Sequence, residues 1–435
     1  MTWTRSDEEL ALALLALDTT TPMETGCPGE LRAAQELYAD AAATLGFTTV
    51  HFGPARPESV TDPRAPATVR LAARRMGLEF LRCQPNLVLS LGDAPPERTI
   101  MFNFHLDTVS GIQPAGVRDG LLHGRGAVDD KGPGVALLAG IRQALPLRPG
   151  VRILIQAVGG EEGGAMGVYG TRELASLGFV GRLNVVAEPT RGGFLDRSTA
   201  AMTVRLTADG AGSTDDEPER GENATVLLGF LAAWFAREVV PRVTDLGGKA
   251  CVAGLHVGDA HNRVYGTGDL LCNFAYRDEA AARAIDGLVT RAVDAALTAF
   301  TEEFGGHPAT AVTAAAARRM LRVTWDKRGL PTLDNRDPAM EKLLGAAGFR
   351  RHDDDAGALR PFTCDAIWLG GTGGHTVIAG PGDLAANNAH AAGEHVAITE
   401  LDEYARRIST LVTGFADWCE RTSARTTTSR GGVMS

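Results

Sequence analysis

The stretch Met101-Phe-Asn-Phe-His105-Leu-Asp107-Thr-Val109 decides how the chain is read. Ile100, Phe102 and Phe104 alternate with Met101, Asn103 and His105, the period-two spacing of a half-buried strand. That strand delivers His105 and Asp107 at its carboxyl end. A histidine and an aspartate two residues apart can build a metal site there, one ligating while the other steadies it. Taken alone, the segment reads equally as a core strand with a hydrogen-bonded histidine, so the rest of the chain must discriminate.

Its 435 residues, 44% hydrophobic and 22% charged, have ordinary globular composition and room for two domains. A core of that size needs no disulfide or structural metal to be stable. The net charge of −10 argues against a nucleic-acid partner, which would call for a basic surface. No apolar run approaches the roughly 20 residues of a membrane span; the longest, around 226–235, has the length of a core helix. The first residues contain no apolar signal-peptide segment. Six scattered cysteines without a CxxC pair fit reduced thiols, and a cytoplasmic location is expected.

Outward from the opening strand, helices are expected over 7–17 and 30–45 and a strand over 47–52. An arginine-rich segment over 53–86 reads as a solvated surface insertion containing one helix, with contact to an acidic partner as the alternative. Segments 87–91 and 99–105 read as strands. Gly124 and Gly126 lead into Asp129-Asp130-Lys131-Gly132, and Pro133 suits the first turn of a helix. Segments 151–158 and 183–187 are nearly continuous apolar strands of the buried parallel type. They end in Gly160-Glu161-Glu162-Gly163 and Glu188-Pro189-Thr190. Alternating strands and helices imply an α/β sheet layered on both faces. Past residue 195 a β-α-β-β-α-β order marks a self-contained two-layer unit. The expected organisation is a first catalytic part over 1–190, an inserted domain over 191–327, a second catalytic part over 328–420 and a disordered tail over 421–435.

Four strand ends of the first domain carry ligand-type side chains: His105 with Asp107, Asp129, the pair Glu161-Glu162, and Glu188. Ligands in open α/β sheets gather outside the carboxyl ends of strands. Carboxylates packed together without lysine or arginine repel, and burying them unpaired is costly. A divalent cation resolves that conflict. A mixed His/Asp/Glu set suits zinc, with cobalt or manganese as substitutes. More carboxylates are present than one tetrahedral ion needs, which points to two metals bridged by one carboxylate.

His105-Leu-Asp107-Thr-Val109, Gly124-Arg-Gly-Ala-Val-Asp129-Asp-Lys-Gly132, Gly160-Glu161-Glu162-Gly163 and Ala187-Glu188-Pro-Thr190 occur in order. Together they resemble the dinuclear zinc aminoacylase and carboxypeptidase family, which includes acetylornithine deacetylase, succinyl-diaminopimelate desuccinylase and glutamate carboxypeptidase. The resemblance covers about 8–415. It implies a three-layer α/β/α metallohydrolase domain with an inserted two-layer α+β lid. It also implies that His105 and Glu188 hold one zinc, Glu162 and His390 the other, and that Asp129 bridges them. His390 is placed by Gly380-Pro381-Gly382 before it; His395 is its rival. By the same resemblance Asp107 accepts from the second ring nitrogen of His105, and Glu161 is the general base.

In the inserted segment, Asn262 and Arg277 stand where the family holds a substrate carboxylate, although Arg277 can equally pair with Asp278 or Glu279. One departure stands out. The family's lid histidine precedes a Pro-x-x-Gly-x-Asn-Ala run; here that run is Pro218–Ala224 and the matching position is Thr214, in an acidic loop. Loss of such an oxyanion donor typically costs on the order of a hundred-fold in rate. His256, His261 and His375 are candidate replacements. The departure leaves room for an unusual amide, including one presented by a carrier protein.

The expected activity is hydrolysis of an N-acyl amino acid or short peptide-like amide by a two-zinc enzyme. The alternative is a metal-bound, non-hydrolytic binding or carrier-interaction protein. The strand over 200–208 offers an edge for pairing two chains, and monomer and homodimer both fit the sequence.

Overall fold

Strand Thr99–His105 lies inside a six-stranded sheet. The order across it is Thr48–Gly53, Asn86–Leu91, Arg152–Val158, Thr99–His105, Leu183–Val186 and His375–Ile378. The last four run parallel, and the first two pair antiparallel at one edge. The computed structural model describes residues 2–352 and 359–430, without the side chains of 423–430.

Alternation along the central strand sorts its side chains into two cores. Ile100, Phe102 and Phe104 join one apolar cluster, with helices Arg5–Ala16, Leu31–Ala43, Lys131–Gln143 and Ile398–Arg430. Met101 joins another, with Leu154, Val186, Leu174 and Leu369. The strand is therefore buried on both faces rather than half-buried, as parallel sheets in layered folds are. Asn103 is accommodated by donating to Gln156 Oε1 at 2.8 Å and Thr171 Oγ1 at 2.9 Å. Helix Lys131–Gln143 lies so close that a Cβ on Gly134 would meet the Phe104 ring at 2.3 Å, which is why that turn is built from glycine and proline.

The chain divides into two compact units, Met1–Ser198 with Leu333–Ser435, and Thr199–Thr332. The second starts and ends a few residues later than the 191–327 read from the sequence. Its sheet is antiparallel, in the order Lys249–His256, Thr267–Tyr276, Ala200–Asp209, Leu321–Lys327. Helices Ala224–Trp234, Glu279–Phe304 and Pro308–Met320 pack within it. The last of these escapes sequence reading because six of the thirteen residues of Pro308–Met320 are alanine and its only larger apolar side chains are Val312 and Met320. Strand Ala200–Asp209, expected to offer a free edge, has a partner on each side; the edges are Lys249–His256 and Leu321–Lys327.

Three further elements differ from the reading. The helical stretch Ala224–Asp245 is long and apolar enough, by length and composition, to cross a membrane, although no such run was expected. Its Leu227, Leu228 and Leu231 are buried in the second unit. Segment 53–86 holds three helices, Glu58–Thr61, Ala67–Met76 and Glu79–Arg82, rather than one. The last helix continues to Arg430, into the stretch read as a disordered tail; 431–435 lie outside the described residues.

Candidate metal centre

The four parallel strands end on the same side of the sheet, and each is followed by ligand-type residues. His105 closes its own strand, Glu161 and Glu162 follow Arg152–Val158, Glu188 follows Leu183–Val186, and His390 lies in the loop after His375–Ile378. Asp129 comes from the turn that enters helix Lys131–Gln143. Among the described residues these form three overlapping groups whose donor atoms lie within 4.8 Å of one another: His105, Asp129 and Glu188; His105, Glu161 and Glu162; Asp129, Glu162 and His390.

His105, Glu162 and Asp129 each belong to two of these groups, and Asp129 joins the one with Glu188 to the one with His390. Its Oδ1 is 2.9 Å from His105 Nε2 and its Oδ2 is 3.0 Å from His390 Nε2. His390 Nε2 also lies 3.0 Å from Glu162 Oε1. His105 Nδ1–H donates to the backbone oxygen of Asp107 at 2.8 Å, which fixes the tautomer and leaves Nε2 free to ligate. The Asp107 carboxylate is 3.8 Å from the same nitrogen. It does not accept from His105 as the resemblance implies. Instead it accepts the backbone N–H groups of Glu161 at 3.4 Å and Glu162 at 3.1 Å.

Glycine makes that turn possible. Gly160 has φ +82, and a Cβ on it would meet the Tyr169 ring at 2.1 Å. A larger residue would displace Glu161 or the ring.

The electrostatics are those of crowded carboxylates. Burial and the neighbouring Glu162 raise Glu161 well above the usual carboxylate range. Burial, Asp129 and Glu161 do the same to Glu188. Burial opposes the charge on Asp129, but hydrogen bonds with His105 and His390 outweigh it and hold its carboxyl low. Those with Asp129 and Glu162 push His390 up to about 10. Burial opposes a charge on His105, yet Asp129, Glu161 and Glu188 raise its pKa well above normal. The cluster thus draws positive charge onto its imidazoles. Lys131 does not supply it: its ammonium donates to the carbonyls of Leu14 and Leu17, both at 3.0 Å. A nitrogen and carboxylate donor set with surplus negative charge and no ammonium fits divalent metal.

Sequence reading missed two buried acids beside this set. Glu394, four residues after His390, is buried. Its Oε2 is 2.5 Å from Arg125 Nη1, and its Oε1 accepts from the N–H groups of Gly126, Val128 and Asp129 at 3.0–3.3 Å. Strand His395–Ala397 pairs with Leu121–His123 beside it. The loops bearing His390 and Asp129 are therefore fastened together. An acid amid alanine and glycine shortly after His390 was the available signal. Asp365 is the other: buried, it accepts from Thr171 Oγ1 at 2.6 Å and is pushed up to about 7 by burial.

The remaining expected residues lie elsewhere. His395 donates from Nδ1 to the Gly393 carbonyl and belongs to none of the three groups. His375 begins its strand, at the edge of the sheet opposite the ligand-bearing ends. Asn262, His256 and His261 are exposed in the second unit. Arg277, also exposed there, pairs with Asp278 at 3.3 Å. Thr214 is exposed and pairs in register with Arg263.

Residues 101–414 match the sequence model of Peptidase family M20/M25/M40. A protein provisionally named LysW-lysine/LysW-ornithine hydrolase from Aeropyrum pernix is 34% identical over 177 residues, covering 40% of this chain and 49% of that protein. Succinyl-diaminopimelate desuccinylase 2 from a Ruegeria species is 27% identical over 225 residues, covering 46% and 56%. The chain spans about half the length of the curated relatives it matches. A tripeptidase structure from Staphylococcus aureus shares the fold, with TM-score 0.66 over 94% of this chain and 97% of that one, at 17% identity.

Proposed function

Because the chain belongs to Peptidase family M20/M25/M40, we propose that it is a metal-dependent hydrolase of an amide bond at an amino acid. The carrying observation is that Asp129 faces His105 with one carboxylate oxygen and His390 with the other. His105 and Glu188 would hold one divalent ion and Glu162 and His390 a second, with Asp129 between them. Zinc suits the donors, and cobalt or manganese can replace it. When bound, such ions act as Lewis acids and lower the pKa of water.

The chain's own residues do the rest. Glu161 makes no ion pair with lysine or arginine among the described residues, and its carboxylate, beside the ligand-type Glu162, is the proposed base that takes a proton from water and returns it to the leaving amine. Asp107 fixes the Glu161–Glu162 backbone, so base and ligand keep a constant spacing. In the second unit, Asn262 and Arg277 are the proposed holders of the substrate carboxylate; the exposed Arg277 guanidinium can exchange Asp278 for it.

The substrate class inferred is an amide whose amine side is an amino acid. Its acyl side is a small acid, as in the desuccinylase relative's name, or a larger partner, as in the LysW-lysine name. Thr214 in place of a histidine favours a second reading, a metal-bound protein that binds such amides without hydrolysing them.

A panel of N-acetyl, N-succinyl and glutamyl amino acids, assayed with zinc or cobalt alongside metal analysis, separates the two. Glu161→Gln should keep the metal content of the wild type and lose at least about a hundred-fold in turnover. Normal turnover by that variant would sink the mechanism. Two bound ions without turnover of any substrate would favour the binding protein.

A further inference from the structure

Segment 53–86 contains six arginines against three acids in a chain of net charge −10. Its arginines fall into two sets. Arg56 pairs with Glu173 at 2.7 Å, and Arg64 pairs with Asp62, which also accepts from Arg172. These bonds fasten the insertion to helix Thr171–Ser176. Arg74, Arg75 and Arg82 are exposed and make no ion pair among the described residues.

Arg74 and Arg82 stand with Arg70 around a groove of about 600 Å³. Val60 and Leu81 line it, and Leu78, 71% exposed, stands at its mouth. The groove thus sets an exposed leucine and apolar lining beside guanidinium groups without an acidic partner among the described residues, a surface complementary to acidic and apolar side chains together.

A short series of contacts links the groove's helix to the metal centre. Helix Ala67–Met76, which carries Arg70 and Arg74, packs against Pro22–Thr25. The side chains of Thr21 and Met23 close on Gly163, next to Glu162. Thr20 bridges to Thr108, next to Asp107.

We propose that this groove docks an acidic polypeptide segment of the partner that presents the amide. Glutamate or aspartate would meet Arg74 and Arg82, and an apolar side chain would cover Leu78. The apolar lining favours a polypeptide over nucleic acid: the groove has no aromatic ring on which bases could stack. The proposal rests on the hydrolase reading for its purpose, but docking itself is measurable without turnover.

The probe is the fluorescein-labelled peptide Glu-Glu-Leu-Glu-Asp-Leu-Glu-Glu, followed by anisotropy on the full chain. It should bind, and Arg74→Glu/Arg82→Glu should weaken binding by about tenfold or more, as should raising salt, because both act on exposed charge. Leu78→Asp should weaken it as well. The variants change exposed side chains, so their melting temperatures should equal that of the wild type. Absence of binding, or affinity unchanged by charge reversal, overturns the proposal. A single-stranded oligonucleotide of equal charge that binds more tightly than the peptide, and is lost in the same variant, also overturns it.

A second arm joins the peptide to the acyl side of a lysine amide. The tail should lower KM relative to the untailed amide, and charge reversal should abolish that advantage with kcat unchanged. Equal KM for the two amides overturns the proposal. Peptide binding without turnover of either amide supports the docking surface while refuting the hydrolase reading.

Discussion

The carboxylate of Asp107 accepts the backbone N–H of Glu162 at 3.1 Å, while its own backbone oxygen accepts from His105. One residue thus orients a metal-type histidine with its main chain and a metal-type glutamate with its side chain. Asp107→Asn should keep the His105 contact and weaken the hold on the Glu161–Glu162 turn. The expected loss is about 10- to 100-fold in metal affinity or kcat/KM, the usual cost of removing an orienting partner. Metal titration together with steady-state kinetics checks it. A variant with both quantities unchanged would show that the turn holds itself.

The buried Arg125–Glu394 pair carries a comparable prediction. Arg125→Met leaves Glu394 buried without its cation, and breaking such a pair by removing one partner costs about 3–5 kcal/mol. Burial already raises the Glu394 pKa, with Asp129 adding to it and Arg125 opposing, so removing Arg125 takes away a cation that offsets the cost of this buried charge. Urea unfolding should report the loss, and Arg125→Lys should recover part of it. Wild-type stability for Arg125→Met would exclude a structural role for the pair.

Metal removal should destabilise the first unit, because its surplus carboxylates would then face one another. A ligand at 100 times its Kd stabilises the state it binds by about 2.7 kcal/mol. Adding zinc to chelator-treated protein should therefore raise the melting temperature, and His390→Ala should reduce that rise. A melting temperature indifferent to zinc would argue against metal at these residues.

A pH effect is expected away from the metal centre. Burial opposes the charge on Asp7, but hydrogen bonds from Arg142 and Thr4 outweigh it and lower its pKa. Arg142 donates to it through both terminal nitrogens, at 2.7 and 2.6 Å. A depressed folded pKa gives stability that is full above the unfolded value of about 3.9 and lost as pH falls through the folded one. The stability gap between wild type and Arg142→Met should thus be constant from pH 7 to 5 and shrink below about pH 4. Denaturant unfolding across that range checks it; a gap that widens in acid would reverse the assignment.

Much of this site was legible because its signals are local. Period-two alternation in 99–105 announced the strand, and acids followed by glycine or proline announced the strand ends. Which atom of Asp107 meets His105 was not legible, since both atoms belong to one residue and the choice depends on how the backbone turns after the strand. Glu394 was missed for another reason. Its partners Arg125, Gly126, Val128 and Asp129 lie more than 260 residues away in sequence, and nothing near it announces them. The free edge expected at Ala200–Asp209 failed likewise: alternation shows that a strand has two faces but not how many neighbours it has.

By itself the sequence determined the long strands of the two main sheets and the donor types at their ends, because periodicity and residue type are carried by neighbouring residues; the family followed from the resemblance of four motifs in order. Tertiary structure alone decided that Asp129 divides its oxygens between His105 and His390, that Glu394 clamps the Asp129 loop, and which arginines of 53–86 are paired and which stand free. Those are pairings across the chain. They are set by sheet order and register, which bring residues together whatever their distance in sequence.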